Sequence, residues 1–412
     1  MFNGEKIRNT PFPKHPIIGN EEKEQVLEVL ESGNLSTFIA SPGEFFLGGK
    51  KIREFEKKFA EFIGTKYAVA FNSATSALHA SIVATGVKPG EEVIVPPYTF
   101  TSTATSSLMH NAIPVFCDVK KDTYCIDPKK LHEVYSQLSR AIIPVHLFGH
   151  PCDMDEIKEF ADKNNLKIIE DCAQAPGAEY KGKKVGTIGD CGIFSFQETK
   201  NMMTGEGGML VTNDEHIARV AQMVRNHGEM ILESDKERKY NSEILGWGYR
   251  MTELEAAIGI AQLGKINKMN GERIELAEYL TKELHKIPGL KHTKYNFVKH
   301  VYYVYGFSYD EKTVGIPRNK FCEAVRAEGI PINAGYVKPL YLTTLYQERR
   351  SYAFKHYTGN AIYQKGMCPV VEELHEKDVV MIPIVRPPAT TDDMDDIINA
   401  INKVIENKEE II

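Results

Sequence analysis

A lysine in a glycine-flanked loop is the residue of this chain best placed for covalent chemistry. Lys200 lies in the segment 194–208 (FSFQETKNMMTGEGG), which leads into a strand-like run at 209–212. Surface lysines are common, but Phe194 and Phe196 should draw this segment into a core, and its glycines permit close backbone packing. A lysine amine that is partly desolvated in a pocket can act as a nucleophile toward an aldehyde.

The elements that must position this lysine form an alternating pattern. Strands are predicted at 67–71, 92–96, 113–119, 140–145 and 166–170, with helices at 21–32, 52–63, 76–85, 99–109, 131–138, 154–164 and 214–224. This alternation predicts a mostly parallel sheet covered by helices on both faces. Because ligands bind at the carboxyl ends of such strands, we expect residues 72–75, 97–100, His146 and Asp171 to surround a site.

The last part of the chain is predicted to form a second, smaller domain. A long helix at 252–285, interrupted near Gly264 and Gly271, precedes a hinge at 286–289. A strand at 302–308, a helix at 320–328, an aromatic loop at 336–346 and a helix at 392–405 follow. We therefore predict a large domain with an N-terminal arm at 1–274 and a smaller α+β domain at 275–412.

Composition narrows the class of protein. The 412 residues are 42% hydrophobic and 26% charged, as in ordinary globular enzymes. A net charge of -6 without a long basic block argues against binding to nucleic acid or an anionic membrane. There is no apolar run of the ~18 residues that span a membrane and no secretory h-region. The seven scattered cysteines lack a CxxC pair, which favours a reduced, cytoplasmic protein without a zinc site.

Lys200 and Asp171 together suggest a particular cofactor. An aldehyde held by a lysine as a Schiff base needs a phosphate anchor, a stacking partner and a carboxylate for a ring nitrogen, and this set describes pyridoxal phosphate (PLP). Asp171 ends an apolar strand and could pair with the pyridinium nitrogen, although an isolated aspartate at such a place is more often a helix cap.

Other residues of the expected cleft could supply the phosphate anchor and the stacking partner. Ala74 and Thr75 open a helix whose N-terminal amides could hold a phosphate, and Ser195 adds a hydroxyl. Phe100 follows a strand and offers a face for ring stacking. Small residues at a helix start can equally be plain N-caps, and an aromatic after a strand can be core.

Several segments, taken in order, resemble one family, the DegT/DnrJ/EryC1/StrS sugar aminotransferases, which are fold-type-I PLP enzymes. They cover nearly the whole chain and are 72–79 (NSATSALH), 96–103 (PPYTFTST), 144–149 (PVHLFG), 169–175 (IEDCAQA), 195–208 (SFQETKNMMTGEGG) and 249–254 (YRMTEL). The resemblance implies a three-layer αβα large domain with a mostly parallel mixed sheet. It also implies a homodimer whose active sites are each completed by the partner chain.

The resemblance assigns roles to individual residues. Lys200 matches the lysine that forms the Schiff base and then moves the proton, Asp171 matches the pyridinium partner, and Gln174 lies at the position near the ring hydroxyl. The matches for phosphate binding are Ala74, Thr75 and Ser195, and the match for ring stacking is Phe100.

One segment departs from the family pattern. The usual Gly-aromatic-Asn-aromatic-Arg reads GWGYR at 246–250, so Gly248 replaces an asparagine that reaches the neighbour's cofactor phosphate. The lost hydrogen bond is worth about 0.5–1.5 kcal/mol, so binding should survive. The Gly248 amide, Trp247 or Arg250 could substitute. Arg250, which could also be a structural ion-pair residue, and Tyr336 are candidate substrate contacts, and the loops 35–49 and 336–346 are candidate pocket walls.

We therefore expect a cytoplasmic aminotransferase that moves an amino group from L-glutamate or L-glutamine to a keto-sugar. The keto-sugar is expected to be nucleotide-linked, and the reaction to serve cell-surface polysaccharide or amino-sugar biosynthesis. A keto-inositol or an aminoshikimate-type ring is the alternative acceptor, since the arm at 2–8 and the stretch 368–372 resemble those branches as well. A non-catalytic sensor of PLP or sugar is a further alternative, against which the intact Lys200 counts.

Overall fold

A computed structural model describes residues 4–38, 45–230, 241–293 and 295–411. The predicted loop at 35–49 therefore lies partly outside the described residues, as do most of a polar loop predicted at 229–243 and the first residues of the arm. The helices are α1 Asn20–Ser32, α2 Lys50–Ile63, α3 Ala74–Ala84, α4 Ser102–Met109, α5 Leu131–Val134, α6 Met154–Asn164, α7 Glu215–Arg225, α8 Glu253–Leu284, α9 Glu311–Val314, α10 Arg318–Ala327, α11 Thr344–Gln347, α12 Pro369–Glu373 and α13 Thr391–Glu406.

The strands follow the predicted alternation in the first half of the chain. They are β1 Tyr67–Phe71, β2 Glu92–Val95, β3 Ile113–Phe116, β4 Ser139–Ile142, β5 Lys167–Asp171, β6 Glu179–Tyr180, β7 Lys183–Lys184, β8 Cys191–Ser195, β9 Gly208–Thr212, β10 Leu290–Lys291, β11 Val298–Lys299, β12 Tyr305–Tyr309, β13 Asn333–Ala334 and β14 Val379–Ile382.

The main sheet has seven strands in the order β1-β9-β8-β5-β4-β2-β3. Strand β9 pairs antiparallel with both β1 and β8, whereas the other pairs are parallel. The predicted mostly parallel mixed sheet is confirmed. Its central strands β2, β5, β8 and β9 are almost wholly buried, because helices cover both faces.

A second core surrounds the smaller sheet β10-β12-β14-β13 near the end of the chain. The second half of α8 and helices α10 and α13 pack around it. The N-terminal arm also lies here: Ile7 and Phe12 pack against this core, and Arg8 forms ion pairs with Asp393 and Asp396. The boundary between 274 and 275 stays a prediction, and α8 runs across it without a break.

Two helix predictions were wrong. Helix α8 is continuous at Gly264 and Gly271, where a Cβ would meet no atom within 4 Å. A glycine there costs about 1 kcal/mol of helix propensity, but the buried apolar face of α8 outweighs that cost. Helix α5 ends at Val134 rather than continuing to Leu138. None of the described helices is both long and apolar enough to cross a membrane.

A buried carboxylate ties the start of α8 to the start of α2. Glu253 Oε1 accepts hydrogen bonds from Thr37 Oγ1 (2.9 Å) and the Gly49 amide (3.0 Å), and Oε2 accepts one from the Lys51 amide (2.8 Å). The Glu253 residue is 3% exposed. The carboxylate thus satisfies amides at the first turn of α2 that have no helical acceptor.

Replacing this carboxylate should destabilise the fold. We expect Glu253→Gln to lower the free energy of unfolding by about 2 kcal/mol, because hydrogen bonds to a charged group are among the stronger ones. Urea unfolding measures the change, with the exposed Glu24→Gln on α1 as the control, expected to stay within about 0.5 kcal/mol of wild type. Equal stability of the two variants would contradict this role.

Candidate active site

Lys200 lies in the loop 196–207 that joins β8 to β9. The loop is closed at its base by a hydrogen bond of 2.9 Å from the Phe196 amide to the Gly207 carbonyl. The Phe196 ring packs against Phe55 and Phe59, with ring centroids 5.2 and 5.3 Å apart. As predicted, aromatic residues anchor the segment in the core and leave Lys200 half-buried at its tip.

The return of this loop into β9 meets the N-terminus of α3. A Cβ at Gly208 would lie 2.4 Å from the Ala74 nitrogen, so only glycine fits between the strand and the helix. Ser73 caps α3 by accepting a hydrogen bond from the Ser76 amide at 3.1 Å. The amides of Ala74 and Thr75 lie in the first turn of the helix, where amides have no helical acceptor. Both residues line the adjacent cavity, and such a helix N-terminus can bind phosphate.

Asp171 ends β5 and is 3% exposed. Its Oδ2 accepts a hydrogen bond from Thr103 Oγ1 at 2.8 Å, and its Oδ1 accepts one from the Ala173 amide at 3.1 Å. Burial raises the pKa of Asp171, while these two donors and the Lys200 charge oppose that rise. A cationic N–H brought to this carboxylate would therefore relieve an electrostatic cost.

Gln174 links this wall to the C-terminal part of the chain. Its Oε1 accepts a hydrogen bond from the Phe148 amide at 2.7 Å, and its Nε2 donates to the Tyr336 hydroxyl at 3.2 Å. The Tyr336 amide in turn donates to the Tyr98 hydroxyl at 3.0 Å. Phe100, which lines the same cavity, is 60% exposed, so a ring face is free for stacking.

These side chains line one cavity of about 500 Å³. It contains the seven predicted cofactor residues Ala74, Thr75, Phe100, Asp171, Gln174, Ser195 and Lys200, and also Tyr336. Its volume is typical of a site for a cofactor-sized molecule. The individual roles of these residues stay predictions, but the structure brings together the set that the sequence indicated.

Arg250, by contrast, does not line this cavity. Its Nη1 lies 3.5 Å from Asn226 Oδ1. Gly248 is exposed, and Trp247 packs on His79 of α3 with ring centroids 4.4 Å apart. The predicted role of Arg250 as a substrate contact, and the predicted substitutes for the lost asparagine, therefore stay predictions.

Sequence reasoning missed two residues of the site. The Lys200 Nζ lies 4.2 Å from the centroid of the Tyr303 ring, a cation–π distance. Thr103 is fully buried and donates to Asp171, 68 positions further along the chain. Thr103 belongs to the quoted 96–103 segment, whereas no local pattern singles out Tyr303.

The site meets the requirements of PLP on its own chemistry. The first-turn amides of α3 suit a phosphate, and the free face of Phe100 suits an aromatic ring. The buried, desolvated carboxylate of Asp171 suits a pyridinium nitrogen, and the Lys200 amine suits an aldehyde. Fold and site together define a fold-type-I, PLP-dependent aminotransferase.

The family model agrees with this class. Residues 16–402 match the DegT/DnrJ/EryC1/StrS aminotransferase family, and the chain belongs to it. The predicted family, enzyme class and cofactor are confirmed.

Individual relatives extend along most of the chain. The spore coat polysaccharide biosynthesis protein SpsC of Bacillus subtilis is 35% identical over 396 residues, which is 95% of this chain and 96% of that protein. The GDP-perosamine synthase of Caulobacter vibrioides is 40% identical over 293 residues, or 70% of this chain and 75% of that protein. The X-ray structure of an aminotransferase from Psychrobacter cryohalolentis matches with a TM-score of 0.86 and 31% identity, covering 96% of this chain and 99% of that one.

The raised pKa of Asp171 gives a prediction with a definite sign. When folding raises the pKa of a carboxyl group, the folded protein loses stability as the pH rises from the ordinary aspartate range through the raised pKa. At pH 8 the cofactor-free Asp171→Asn variant should therefore have a melting temperature equal to or above that of cofactor-free wild type, and this difference should narrow as the pH falls. The variant should also bind PLP more weakly.

Thermal unfolding across pH and a PLP titration measure both effects. The exposed Asp162→Asn serves as the control, because its side chain is 65% exposed and should leave both quantities unchanged. A cofactor-free Asp171→Asn protein that is less stable than wild type at pH 8 would contradict the account.

Proposed function

We propose that this enzyme transfers an amino group from L-glutamate or L-glutamine to a nucleotide-linked keto-sugar, in amino-sugar or cell-surface polysaccharide biosynthesis. The observation that carries the proposal is the presence of Lys200 and the buried Asp171 in one cavity beside the open N-terminus of α3. A bound PLP supplies an electron sink that stabilises negative charge on the substrate carbon.

The residues of the chain then divide the work. Asp171, whose carboxylate is desolvated, would stabilise a positive charge on the ring nitrogen. The Lys200 amine takes a proton from the substrate carbon that bears the donated nitrogen, and the Tyr303 ring restrains its position from 4.2 Å. The α3 amides would hold the phosphate of the cofactor and Phe100 would hold its ring, so that the reacting atoms would meet in one orientation.

Two relatives support the acceptor class that we propose. A GDP-perosamine synthase and a spore coat polysaccharide protein resemble this chain over most of its length, and their names concern a nucleotide-linked amino sugar and a polysaccharide. Tyr336 reaches the cavity from the C-terminal part of the chain, and we propose it as a contact of that acceptor.

We also propose a homodimer with shared active sites. Phe100, at the cavity, and Leu245, beside the GWGYR segment, are 60% and 73% exposed. Leu245 is an apolar side chain that a partner chain could cover, whereas the exposed face of Phe100 is the one proposed for the cofactor ring. Gly248 is exposed as well, so dimerisation could bring its backbone to the neighbouring site.

Removal of the lysine tests the reaction. We expect Lys200→Ala to lose amino transfer by at least about 100-fold, because the proton-transfer group is gone, and to lose the visible absorbance of the lysine-bound cofactor. The control is Lys268→Ala on α8, whose side chain is 81% exposed.

The assay uses a panel of acceptors with L-glutamate or L-glutamine as donor. Amination of nucleotide-linked 3-keto- or 4-keto-sugars supports the proposal, whereas amination of scyllo-inosose alone contradicts the sugar assignment. Unchanged turnover and absorbance in Lys200→Ala would remove the role given to this lysine.

A further inference from the structure

Helix α4 carries a threonine whose hydroxyl is used differently from those of its neighbours. Thr105 Oγ1 donates to the Thr101 carbonyl at 3.1 Å, and Ser106 Oγ donates to the Thr103 carbonyl at 3.1 Å. Such bonds to the preceding turn are usual for hydroxyl side chains within a helix. Thr103 instead donates to Asp171 Oδ2 at 2.8 Å. Its hydroxyl is therefore directed at the carboxylate of the site.

A second buried hydroxyl lies behind that of Thr103. Thr99 Oγ1 lies 3.1 Å from Thr103 Oγ1, and the two residues are 1% and 0% exposed. An ionised carboxylate only accepts, so the Thr103 proton goes to Asp171 and the Thr103 oxygen is left to accept the Thr99 proton. Thr99, Thr103 and Asp171 thus form what we call the hydroxyl chain, which ends on the carboxylate. In such a chain each hydrogen bond polarises and strengthens the next.

The backbone turn that holds the hydroxyl chain also carries Phe100. The Thr103 amide donates to the Phe100 carbonyl at 3.3 Å. The hydroxyls of Thr99 and Thr103 meet on the buried side of this turn, whereas Phe100 is 60% exposed and lines the cavity. One turn therefore positions both the ring face proposed for stacking and a hydrogen bond to the carboxylate proposed for the ring nitrogen.

The hydrogen bond from Thr103 favours the charged form of Asp171. Burial raises the pKa of Asp171, and the Thr103 hydroxyl opposes this rise more than the Ala173 amide or the Lys200 charge does. A hydrogen bond to the ionised form of a carboxyl group stabilises that form. Without this hydroxyl, the Ala173 amide would be the one remaining hydrogen-bond donor to Asp171 among the described residues.

We propose that Thr103, supported by Thr99, is a positioning residue that keeps Asp171 ionised and correctly oriented for the ring nitrogen of PLP. This inference rests on the role of Asp171 in the proposed function and deepens it. The carboxylate stabilises a protonated ring nitrogen only while it is itself ionised. If Thr103 merely filled space, valine would serve as well, because it has the same branched shape without the hydroxyl.

Titration of the cofactor-free enzyme with PLP tests the inference without any turnover. We expect Thr103→Val to weaken PLP binding about 10- to 100-fold, because hydrogen bonds to charged groups are among the stronger ones. Thr103→Ser keeps a hydroxyl and should bind PLP almost as tightly as wild type. The control is Thr105→Val on the same helix, which removes the bond to the Thr101 carbonyl and should leave PLP affinity unchanged.

A double-mutant cycle separates an effect through Asp171 from a general structural effect. In the Asp171→Asn background, Thr103→Val should change PLP affinity by less than about 3-fold, because no charge remains for the hydroxyl to stabilise. The second readout is the ¹⁵N NMR signal of PLP labelled at the ring nitrogen, which distinguishes a protonated from a neutral ring. This signal should move toward the neutral form in Thr103→Val and stay at the wild-type position in Thr103→Ser.

The inference is overturned by wild-type PLP affinity or an unchanged ¹⁵N signal in Thr103→Val, or by an equal loss of affinity in both backgrounds. If Thr103→Val does not fold, Thr99→Val decides in its place, with a smaller loss of affinity expected and wild-type affinity as the contrary result. If Asp171→Asn alone binds PLP as tightly as wild type, the role of Asp171 and this inference both fail. Absence of keto-sugar amination would defeat only the proposed acceptor, because PLP binding requires no turnover.

Discussion

A carboxylate is held at the end of β5 in nearly complete burial, and two donors, Thr103 and Ala173, satisfy it only in part. Burial makes the charged form of Asp171 unfavourable in the absence of a cation. The site is therefore arranged at a cost in stability that a positively charged ring can offset. The roles proposed for the other features of the cavity, from the α3 amides to Lys200, depend on a cofactor whose positive charge Asp171 stabilises.

Glu170, the residue before Asp171 on β5, helps to hold Asp171 in place. Side chains alternate along β5, so Glu170 points away from the side of Asp171. Glu170 is fully buried and accepts hydrogen bonds from His146 Nε2 and from the amides of Gly186, Ile188 and Gly189. His146, Glu170 and Cys172 lie close enough to suggest a metal site. Since these bonds already occupy the Glu170 oxygens, we interpret the group as a scaffold.

Much of the site could be predicted because its parts lie at strand ends and helix starts. The strand 67–71 was placed at its true bounds, and Asp171 was expected at the tip of its strand. The local pattern could not reveal Thr103, whose hydrogen-bond partner Asp171 is 68 residues away. The continuity of α8 was misjudged because glycine propensity was weighed without the tertiary packing that holds the helix.

Borohydride reduction of the native enzyme, followed by peptide mass spectrometry, tests the central claim most directly. It traps a cofactor that is joined to a lysine as a stable phosphopyridoxyl adduct. We predict that the peptide containing Lys200 carries this adduct, and that the other lysine-containing peptides do not. An adduct on a different lysine, or no adduct in enzyme that is active and yellow, would contradict the assignment of Lys200.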